Sequence, residues 1–268
     1  MGFYSPAVLV KDAQRHGLRV LPAHVNASEW NCTLEERSLR LGLLCVRGLR
    51  AVTGEAIALA KPFSSIDDIP QRIPEIRKNE LEMLASVGAL NGIGAKHRRD
   101  ALWKSARAGR PIGPLLDYVP ETQPESPLVQ MKTEERLSAD YHGTGLTVGR
   151  HPMHFHRDHL NLLGVTPANE LAITRNGVIV RVAGCVIVRQ RPGTAKGVVF
   201  LSVEDETGIF NVIIIPDIFE AHRLIIVKSP YLLVEGPLQK YEGVIHVQAR
   251  RIEAITMAAG AASSHDFK

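Results

Sequence analysis

Cationic and aromatic side chains are concentrated in two short segments of the second half of the sequence. Residues 189–197 read RQRPGTAKG and hold three cations, and residues 239–243 read QKYEG and place a lysine beside a tyrosine. Cations pair with phosphates and aromatic rings stack on unpaired bases, so this combination is typical of single-stranded nucleic-acid binding. The predicted contacts are Arg189, Arg191, Lys196 and Lys240 for phosphates, and Tyr241 with Phe200 or Phe210 for bases, core packing being the alternative for each phenylalanine.

Two glycine turns in the first half offer a second kind of phosphate contact. Each lies in an apolar stretch with cations close by, and the amide N–H groups of such a turn, together with the next helix N-terminus, hold a phosphate without reading sequence. A turn that only packs two helices together is the alternative. The candidate residues are Arg47, Gly48 and Arg50 at the first turn, and Gly88, Lys96, Arg98 and Arg99 at and after the second.

Three other polar patterns lack the arrangement that catalysis or metal binding requires. His151, His154, His156 and His159 resemble a metal cluster, but no single helix or strand directs all four inward. The neighbouring carboxylates of Glu204 and Asp205 point to opposite faces of a strand, which favours a solvent-exposed hairpin over an acid–base pair or a hydrolase site. Residues 193–197 lack the spacing of a phosphate-binding loop. We therefore predict no catalytic residue, no metal site and no cofactor in this chain.

The elements that position these residues change from helix to strand along the chain. Residues 1–115 have the helical period, with a helix predicted over Ser5–His16, an extended piece at Leu18–Val25 and an otherwise all-α block of two helix–glycine–helix units, at 39–60 and 79–107. From residue 176 the period becomes two, and five strands with one helix between the third and fourth predict an OB-fold, a small Greek-key β-barrel. The predicted fold class is thus multidomain, a helix-hairpin-helix region followed by a five-stranded OB-fold barrel.

Length and composition agree with a folded protein of more than one domain. The chain has 268 residues, 45% hydrophobic and 22% charged, and its net charge is +4. The charge is uneven: by our count residues 1–115 carry +6, residues 116–174 carry −4 and residues 175–268 carry +2. A polyanion is therefore attracted to the two ends. We expect a soluble cytoplasmic protein without a membrane span, with Cys32, Cys45 and Cys185 as reduced, buried thiols.

Several segments resemble the bacterial family C (DnaE-type) DNA polymerases, in particular their error-prone, ImuC-like branch. Gly2–Pro6, Asp12–Gly17 and Leu21–Ser28 are similar to the end of the fingers region. Leu41–Leu43, Arg47–Leu49, Pro62–Ile66 and Leu84–Leu90 are similar to the helix-hairpin-helix region. Tyr141–Leu146, His151–Met153 and Lys196–Gly208 are similar to the entry into the OB domain and its second strand.

The resemblance implies a domain order and a role. It implies the end of the fingers at 1–38, the hairpin region at 39–108, a Pro/Gly-rich linker with short helices at 109–175, the OB-fold at 176–256 and a flexible tail at 257–268. It also implies the C-terminal part of a polymerase of damage-induced mutagenesis and repair, which holds primer–template duplex and single-stranded template. The alternative is an interaction module that docks on a sliding clamp or on mutasome proteins.

The resemblance places the chemistry of synthesis outside this chain. The metal-binding carboxylates of the family's palm lie upstream of the segments that match, so Mg²⁺ and deoxynucleotides are expected for the parent polymerase and no catalysis is expected for this chain alone. Because Met1 falls within a fingers-like segment, we expect a truncated or split reading frame. Gln130–Lys132 is too short to identify a clamp-binding peptide.

Overall fold

A computed structural model describes residues 4–108, 126–256 and 264–267. The α-helices are α1 (Pro6–Arg15), α2 (Ala51–Ala60), α3 (Asp68–Arg72), α4 (Lys78–Val87), α5 (Arg98–Arg107), α6 (Thr133–Thr144), α7 (Arg157–Leu162) and α8 (Pro216–Lys228). The strands are β1 (Arg19–Leu21), β2 (Thr33–Glu35), β3 (Ser38–Arg40), β4 (Ile179–Gln190), β5 (Val199–Glu204), β6 (Ile209–Ile214), β7 (Tyr231–Tyr241), β8 (Val244–Gln248), β9 (Arg251–Ala254) and β10 (His265–Phe267). They form two compact units, one of residues 18–145 and one of residues 1–17 with 146–268.

The unit of residues 18–145 is built around the hairpin of α4 and α5. The apolar positions of α4 recur at helical spacing, and Leu81, Leu84 and Ala85 are buried. Gly88 ends the helix in the left-handed conformation, with φ of +85°. Helix α6 packs on α4 at Gly143, where an added Cβ would lie 2.2 Å from the Val87 Cγ1 atom. A glycine at position 143 is therefore what lets these two helices approach so closely.

The first block is not all-α, in contrast to the prediction. Residues 19–40 form a three-stranded sheet in the order β1-β3-β2, in which β1 is the predicted extended piece. Each strand has only three residues, too few for a period of two to show in the sequence. The segment before Gly48 forms one short 3-10 helix, Leu43–Cys45, where an α-helix was predicted. There the N–H groups of Leu43 and Leu44 bond to the carbonyls of Glu29 and Trp30 instead of to helical partners.

The other unit contains a five-stranded barrel, which confirms the predicted fold class. The strand pairs form a closed ring in the order β4-β5-β6-β8-β7, in which β7 pairs again with β4. The pair β6–β8 is parallel and the other four pairs are antiparallel. Helix α8 lies between the third and fourth barrel strands, as predicted, and runs to Lys228. Alternate residues of the strands fill the core, including Val182, Leu201, Val212 and Leu238. Two further strands extend the sheet: β9 pairs with β7, and β10 pairs in parallel with β4.

The described parts of the predicted linker and tail contain helices and a short strand. Helix α6 belongs to the first unit, and residues 146–175 belong to the barrel unit, where Met153, Leu160 and Val165 pack beside Cys185 and Tyr231. Residues 265–267 of the predicted flexible tail form β10. The Pro/Gly-rich stretch 109–125 and residues 257–263 lie outside the described residues. Within the described ranges no helix combines the length and apolar character that a membrane span requires.

Candidate nucleic-acid interface

The outer face of the barrel carries a continuous row of polar side chains across four strands. In β5 and β6, alternate residues point inward to the core, which leaves Ser202 and Asn211 outward and paired with each other across the strands. Asn211 is also opposite His246 of β8, and His246 is opposite Gln239 of β7. We call Ser202, Asn211, Gln239, His246 and Gln248 the polar strip.

Hydrogen bonds between neighbouring strands fix the orientation of the strip. The His246 Nε2 atom donates to the Gln239 carbonyl oxygen at 2.8 Å, and the Gln239 amide donates to the Gln248 carbonyl oxygen at 2.8 Å. Partial burial lowers the pKa of His246, which favours the neutral imidazole. The strip thus presents amides, a hydroxyl and an uncharged imidazole, groups that form hydrogen bonds with base edges or sugars without repelling either.

One aromatic side chain lies at each end of the strip. Phe200 is half-buried and lies opposite Ile213, at the end where β5 begins. Tyr241 lies opposite Val244 at the other end, on the same face as Gln239, and is 71% exposed. Phe210 faces the opposite way and is only 4% exposed within the barrel core. Phe210 is therefore a core residue, and of the two phenylalanines Phe200 alone keeps the predicted role of stacking on a base.

The cations of the predicted loops differ in the groups that they contact. Lys196, in the loop at the Phe200 end, is exposed, and its ammonium has no partner among the residues that the structure describes. The Arg191 guanidinium lies 4.5 Å from the Phe219 ring centre and 3.8 Å from the Glu220 carboxylate. The Lys240 ammonium donates to the Ala172 carbonyl at 2.5 Å, on the strand face opposite to Tyr241. Lys196 is thus the cation best placed to meet a phosphate near the strip.

Arg189 is anchored inside the barrel unit. Its guanidinium donates to the carbonyls of Ile226 and Ser229, each at 2.7 Å, and lies 3.2 Å from the Asp266 carboxylate. It is 9% exposed and ties the end of α8 and strand β10 to β4. The position in a strand, rather than in the loop that follows, turns this side chain away from solvent. A phosphate contact by Arg189 would require these bonds to break.

Glu204 and Asp205 are buried and have structural partners, so the prediction that they lie in a solvent-exposed hairpin is wrong. Arg15 of α1 lies 2.8 Å from the Glu204 carboxylate. Asp205 accepts bonds from the N–H groups of Thr207 and Gly208, at 2.7 and 2.9 Å. In the next residue, Glu206, burial opposes ionisation, but its bond to Arg157 outweighs burial and lowers its pKa. These carboxylates are compensated by cations and turn amides, which is why they are tolerated in the interior.

At the first predicted turn of the hairpin unit, Gly48 is exposed and has φ of +77°. Its amide N–H has no partner in the described part of the chain, and nothing lies within 4 Å of where a Cβ would stand. The Arg47 guanidinium donates to the carbonyls of Tyr141 and His142, each at 3.3 Å, at the end of α6. The turn therefore keeps a free amide donor while its arginine caps a neighbouring helix.

Three predicted phosphate contacts form ion pairs inside the hairpin unit. Arg50 lies 2.9 Å from the buried Glu80, Arg98 lies 2.7 Å from Asp140, and Arg99 lies 2.8 Å from Glu135. The last two pairs join α5 to α6. Gly88 is buried beneath Arg98, whose Nε atom would be 2.7 Å from an added Cβ. Lys96 is exposed beside the start of α5.

The exposed turn of the α4–α5 hairpin lies at Gly92 and Gly94, which the sequence reasoning missed. Both glycines are exposed and have positive φ, +82° and +79°, while Ile93 between them is buried. The N–H of Gly94 has no partner within the described ranges. The signal in the sequence was a Gly-x-Gly between two apolar helices, followed by Lys96; Gly88 instead serves as the helix end.

Comparison with known protein families agrees with both units. A family model described as "Helix-hairpin-helix motif" matches residues 17–101, and one described as "OB-fold nucleic acid binding domain" matches residues 180–255. The strip and its aromatic ends lie within the second match, and the exposed turns at Gly48, Gly92 and Gly94 lie within the first.

Individual relatives match almost the whole chain. An error-prone DNA polymerase of Methylococcus capsulatus is 39% identical over 95% of this chain and 27% of its own length, and one of Ralstonia nicotianae is 40% identical over 100% of this chain and 26% of its own. The chain thus spans about a quarter of the length of the curated relatives it matches. Among solved structures, asparaginyl-tRNA synthetase from Pyrococcus horikoshii is 25% identical over 35% of this chain and 24% of its own, with a TM-score of 0.30.

Proposed function

We propose that this chain is the part of an error-prone DNA polymerase that holds DNA while another part of the enzyme joins nucleotides. The proposal is supported by its homology to about a quarter of the length of such polymerases. The barrel takes the unpaired template strand, and the glycine turns of the hairpin unit take the backbone of the primer–template duplex. In this role the chain serves low-fidelity synthesis during damage-induced mutagenesis. Docking on a sliding clamp stays a prediction.

The observation that carries the proposal is the polar strip with an aromatic side chain at each end. A single strand laid along the strip meets Tyr241 at one end and Phe200 with Lys196 at the other, so that bases stack and a phosphate is neutralised. The uncharged side chains between these ends add hydrogen bonds that most bases satisfy. This arrangement suits a strand of changing sequence, such as a template.

The hairpin unit supplies contacts of a different kind. Gly48 and Gly94 are exposed, and their amide N–H groups have no partner in the described ranges; such donors bind phosphate oxygens irrespective of the base. Lys96 stands beside the second turn. These contacts fix position along a duplex and carry no sequence information.

The described residues do not fit the metal site that nucleotide transfer needs. Two-metal phosphoryl transfer uses a set of carboxylates that share two ions, and no group of three or more His, Cys, Asp or Glu side chains stands together in the described ranges. We therefore propose that the Mg²⁺ and deoxynucleotides of the polymerase are held by a part of the enzyme other than this chain.

The proposal is tested by titrating labelled oligonucleotides with the full chain. Fluorescence anisotropy measures the affinity at each of several salt concentrations. Replacing Tyr241→Ala removes a stacking surface worth about 1–3 kcal/mol, so single-strand affinity falls roughly 5- to 150-fold. Leu224→Ala is the matched control, because Leu224 is also 71% exposed but lies on α8, away from the strip. Lys196→Ala makes the slope of log affinity against log salt concentration less negative by about 0.7, because one phosphate contact is lost. Lys228→Ala is its control.

The outcomes separate the alternatives. Equal affinities of Tyr241→Ala and Leu224→Ala would contradict a template-strand site on the strip. Loss of all DNA binding with retained capture of polymerase accessory proteins would favour the interaction module. Template-dependent incorporation by the chain alone, with Mg²⁺ and deoxynucleotides, would contradict the assignment of a non-catalytic role.

A further inference from the structure

Two cysteine thiols face each other at the edge of the small sheet in the hairpin unit. The Sγ atoms of Cys32 and Cys45 are 3.8 Å apart, which corresponds to a weak S–H···S contact. Cys32 is exposed and Cys45 is half-buried, whereas Cys185 is buried in the barrel unit. The prediction of three buried thiols is therefore wrong for Cys32. A facing pair, one member of which solvent reaches, has a chemistry that a lone buried thiol lacks.

The backbone holds the two thiols in this position. The N–H groups of Leu43 and Leu44 donate to the carbonyls of Glu29 and Trp30, at 2.9 and 3.0 Å. At Gly42 the two segments approach so closely that an added Cβ would lie 2.3 Å from the Asn31 carbonyl carbon. These bonds lie within three residues of each cysteine. The sulfurs therefore meet because the main chain brings the two segments together.

We propose that Cys32 and Cys45 are a reversible oxidation site, at which a peroxide converts the two thiols into an intramolecular disulfide. A disulfide requires the sulfurs to approach from 3.8 Å to about 2.05 Å. The bond closes the segment between residues 32 and 45. Cys45 is three residues before Gly48, so the disulfide restrains the backbone that leads into this exposed turn.

The reaction balances with hydrogen peroxide as the two-electron oxidant. The exposed Cys32 thiolate attacks a peroxide oxygen; an S–O bond forms, the O–O bond breaks, and hydroxide leaves, which takes up a proton to become water. The Cys45 sulfur then attacks the Cys32 sulfenic acid; the S–S bond forms, the S–O bond breaks, and a second water leaves with the Cys45 proton. A dithiol reductant reverses the oxidation by thiol–disulfide exchange.

The order of attack follows from exposure. Cys32 is exposed, whereas Cys45 is half-buried. The Gly42 N–H donates to the Cys32 sulfur at 3.3 Å. Burial, followed by the neighbouring Cys32, raises the pKa of Cys45 to about 12, so Cys45 stays protonated until Cys32 has reacted. Cys32 is thus the thiol that meets the oxidant, and Cys45 is the one that resolves the sulfenic acid.

The experiment counts free thiols in the full chain, unfolded in denaturant after peroxide treatment and quenching, with and without subsequent dithiothreitol. The expected count falls from three to one in the wild type and returns to three after reduction. In Cys185→Ser it falls from two to none. Peptide mass spectrometry should find the peptides of Cys32 and Cys45 joined, lighter than their sum by two hydrogens.

Two variants make the result decisive. Cys45→Ser should keep Cys32 as a sulfenic acid that a dimedone probe labels, while Cys32→Ser should keep both remaining thiols free. Three free thiols in peroxide-treated wild type, dimers linked through Cys32, or oxidation of Cys32 to sulfinic acid as the main product would each overturn the proposal. A stable complex of the reduced pair with Zn²⁺ that blocks oxidation would also overturn it and assign the pair to metal binding.

Discussion

We expect the stability of the hairpin unit to be sensitive to substitution of Glu80 in α4. Its carboxylate is 1% exposed and accepts bonds from the Arg50 backbone N–H, the Arg50 guanidinium and the Arg77 backbone N–H, all at 2.9 Å. It thus joins the start of α2 to the start of α4. Glu80→Gln keeps the size of the side chain, removes its charge and turns an amide toward some of these donors.

The expected loss can be worked out from the ionisation of the carboxyl group. Burial opposes ionisation of Glu80, but the bonds from Arg50 and Arg77 outweigh burial and lower its pKa from 4.5 to about 2. A native pKa below that of the unfolded chain stabilises the fold at every pH above about 4.5, and this contribution disappears as the pH falls toward 2. The difference in pKa corresponds to about 3 kcal/mol of unfolding free energy at neutral pH.

Tryptophan fluorescence measures this unit alone, because both tryptophans of the chain, Trp30 and Trp103, belong to residues 18–145. Urea unfolding followed by this signal should show Glu80→Gln destabilised by about 3 kcal/mol at pH 7. The gap between wild type and variant should narrow steadily between pH 4.5 and pH 2. Glu82→Gln is the matched control, since Glu82 is on the same helix, half exposed, and 3.8 Å from Lys78.

Two results would refute this reasoning. One is a Glu80→Gln variant as stable as Glu82→Gln at neutral pH, which would mean that the bonds at Glu80 are offset by the cost of burying its charge. The other is a gap between wild type and Glu80→Gln that stays constant down to pH 2, since the loss would then come from packing and not from ionisation.

Three further changes separate structural roles from binding roles in the two units. Arg189→Met should lower the stability of the barrel unit, measured by circular dichroism, by about 2–3 kcal/mol, because its bonds to Ile226 and Ser229 are lost; unchanged stability would contradict the anchoring role. Phe210→Ala should cost about 3–5 kcal/mol of stability, whereas Phe200→Ala should mainly weaken single-strand binding; the reverse pattern would exchange their roles. Gly143→Ala should destabilise the hairpin unit by about 1–3 kcal/mol through contact with Val87, and a neutral result by tryptophan fluorescence would show that α6 can move away.

The sequence predicted the architecture well where a pattern was long enough to repeat. Five strands with a period of two, α8 between the third and fourth, and α1 ending before Gly17 all agree with the structure. The three-residue strands β1, β2 and β3 went unseen, because alternation over three residues is indistinguishable from chance. The helix predicted before Gly48 failed for a tertiary reason: the N–H groups of Leu43 and Leu44 find partners at Glu29 and Trp30, far from helical spacing.

The candidate site was predicted only in part because residue type does not reveal direction. Alternation predicts that one of two neighbouring strand residues faces outward, and the choice between Phe200 and Phe210 needed the register of β5 against β6. The polar strip is assembled from two pairs of consecutive strands, β5–β6 and β7–β8, which α8 separates in the sequence, so no single local motif predicts it. The alternation of Ser202, Asn211 and His246 with buried neighbours was the available signal.

Counting cations overestimated how many of them are free to meet DNA. Of the nine predicted phosphate contacts with a charged side chain, five lie within 4 Å of a carboxylate of this chain: Arg50, Arg98, Arg99, Arg189 and Arg191. A phosphate must compete with these carboxylates, and for Arg50 and Arg189 the competition would also break bonds that hold the fold.

The salt dependence of binding distinguishes arginines that stay paired with carboxylates from arginines that leave them to contact phosphates. Nine neutralised phosphates on a primer–template, at about 0.7–0.9 per phosphate, would give a slope of log affinity against log salt of about −6 or steeper. If the five arginines with carboxylate partners take no part in binding, the slope is about −3. The shallower slope follows if the paired arginines stay paired, with stacking on Tyr241 and turn amides supplying affinity that salt does not screen. A slope near −6 would show instead that DNA draws the arginines out of their ion pairs, and binding would then destabilise the contacts between α5 and α6.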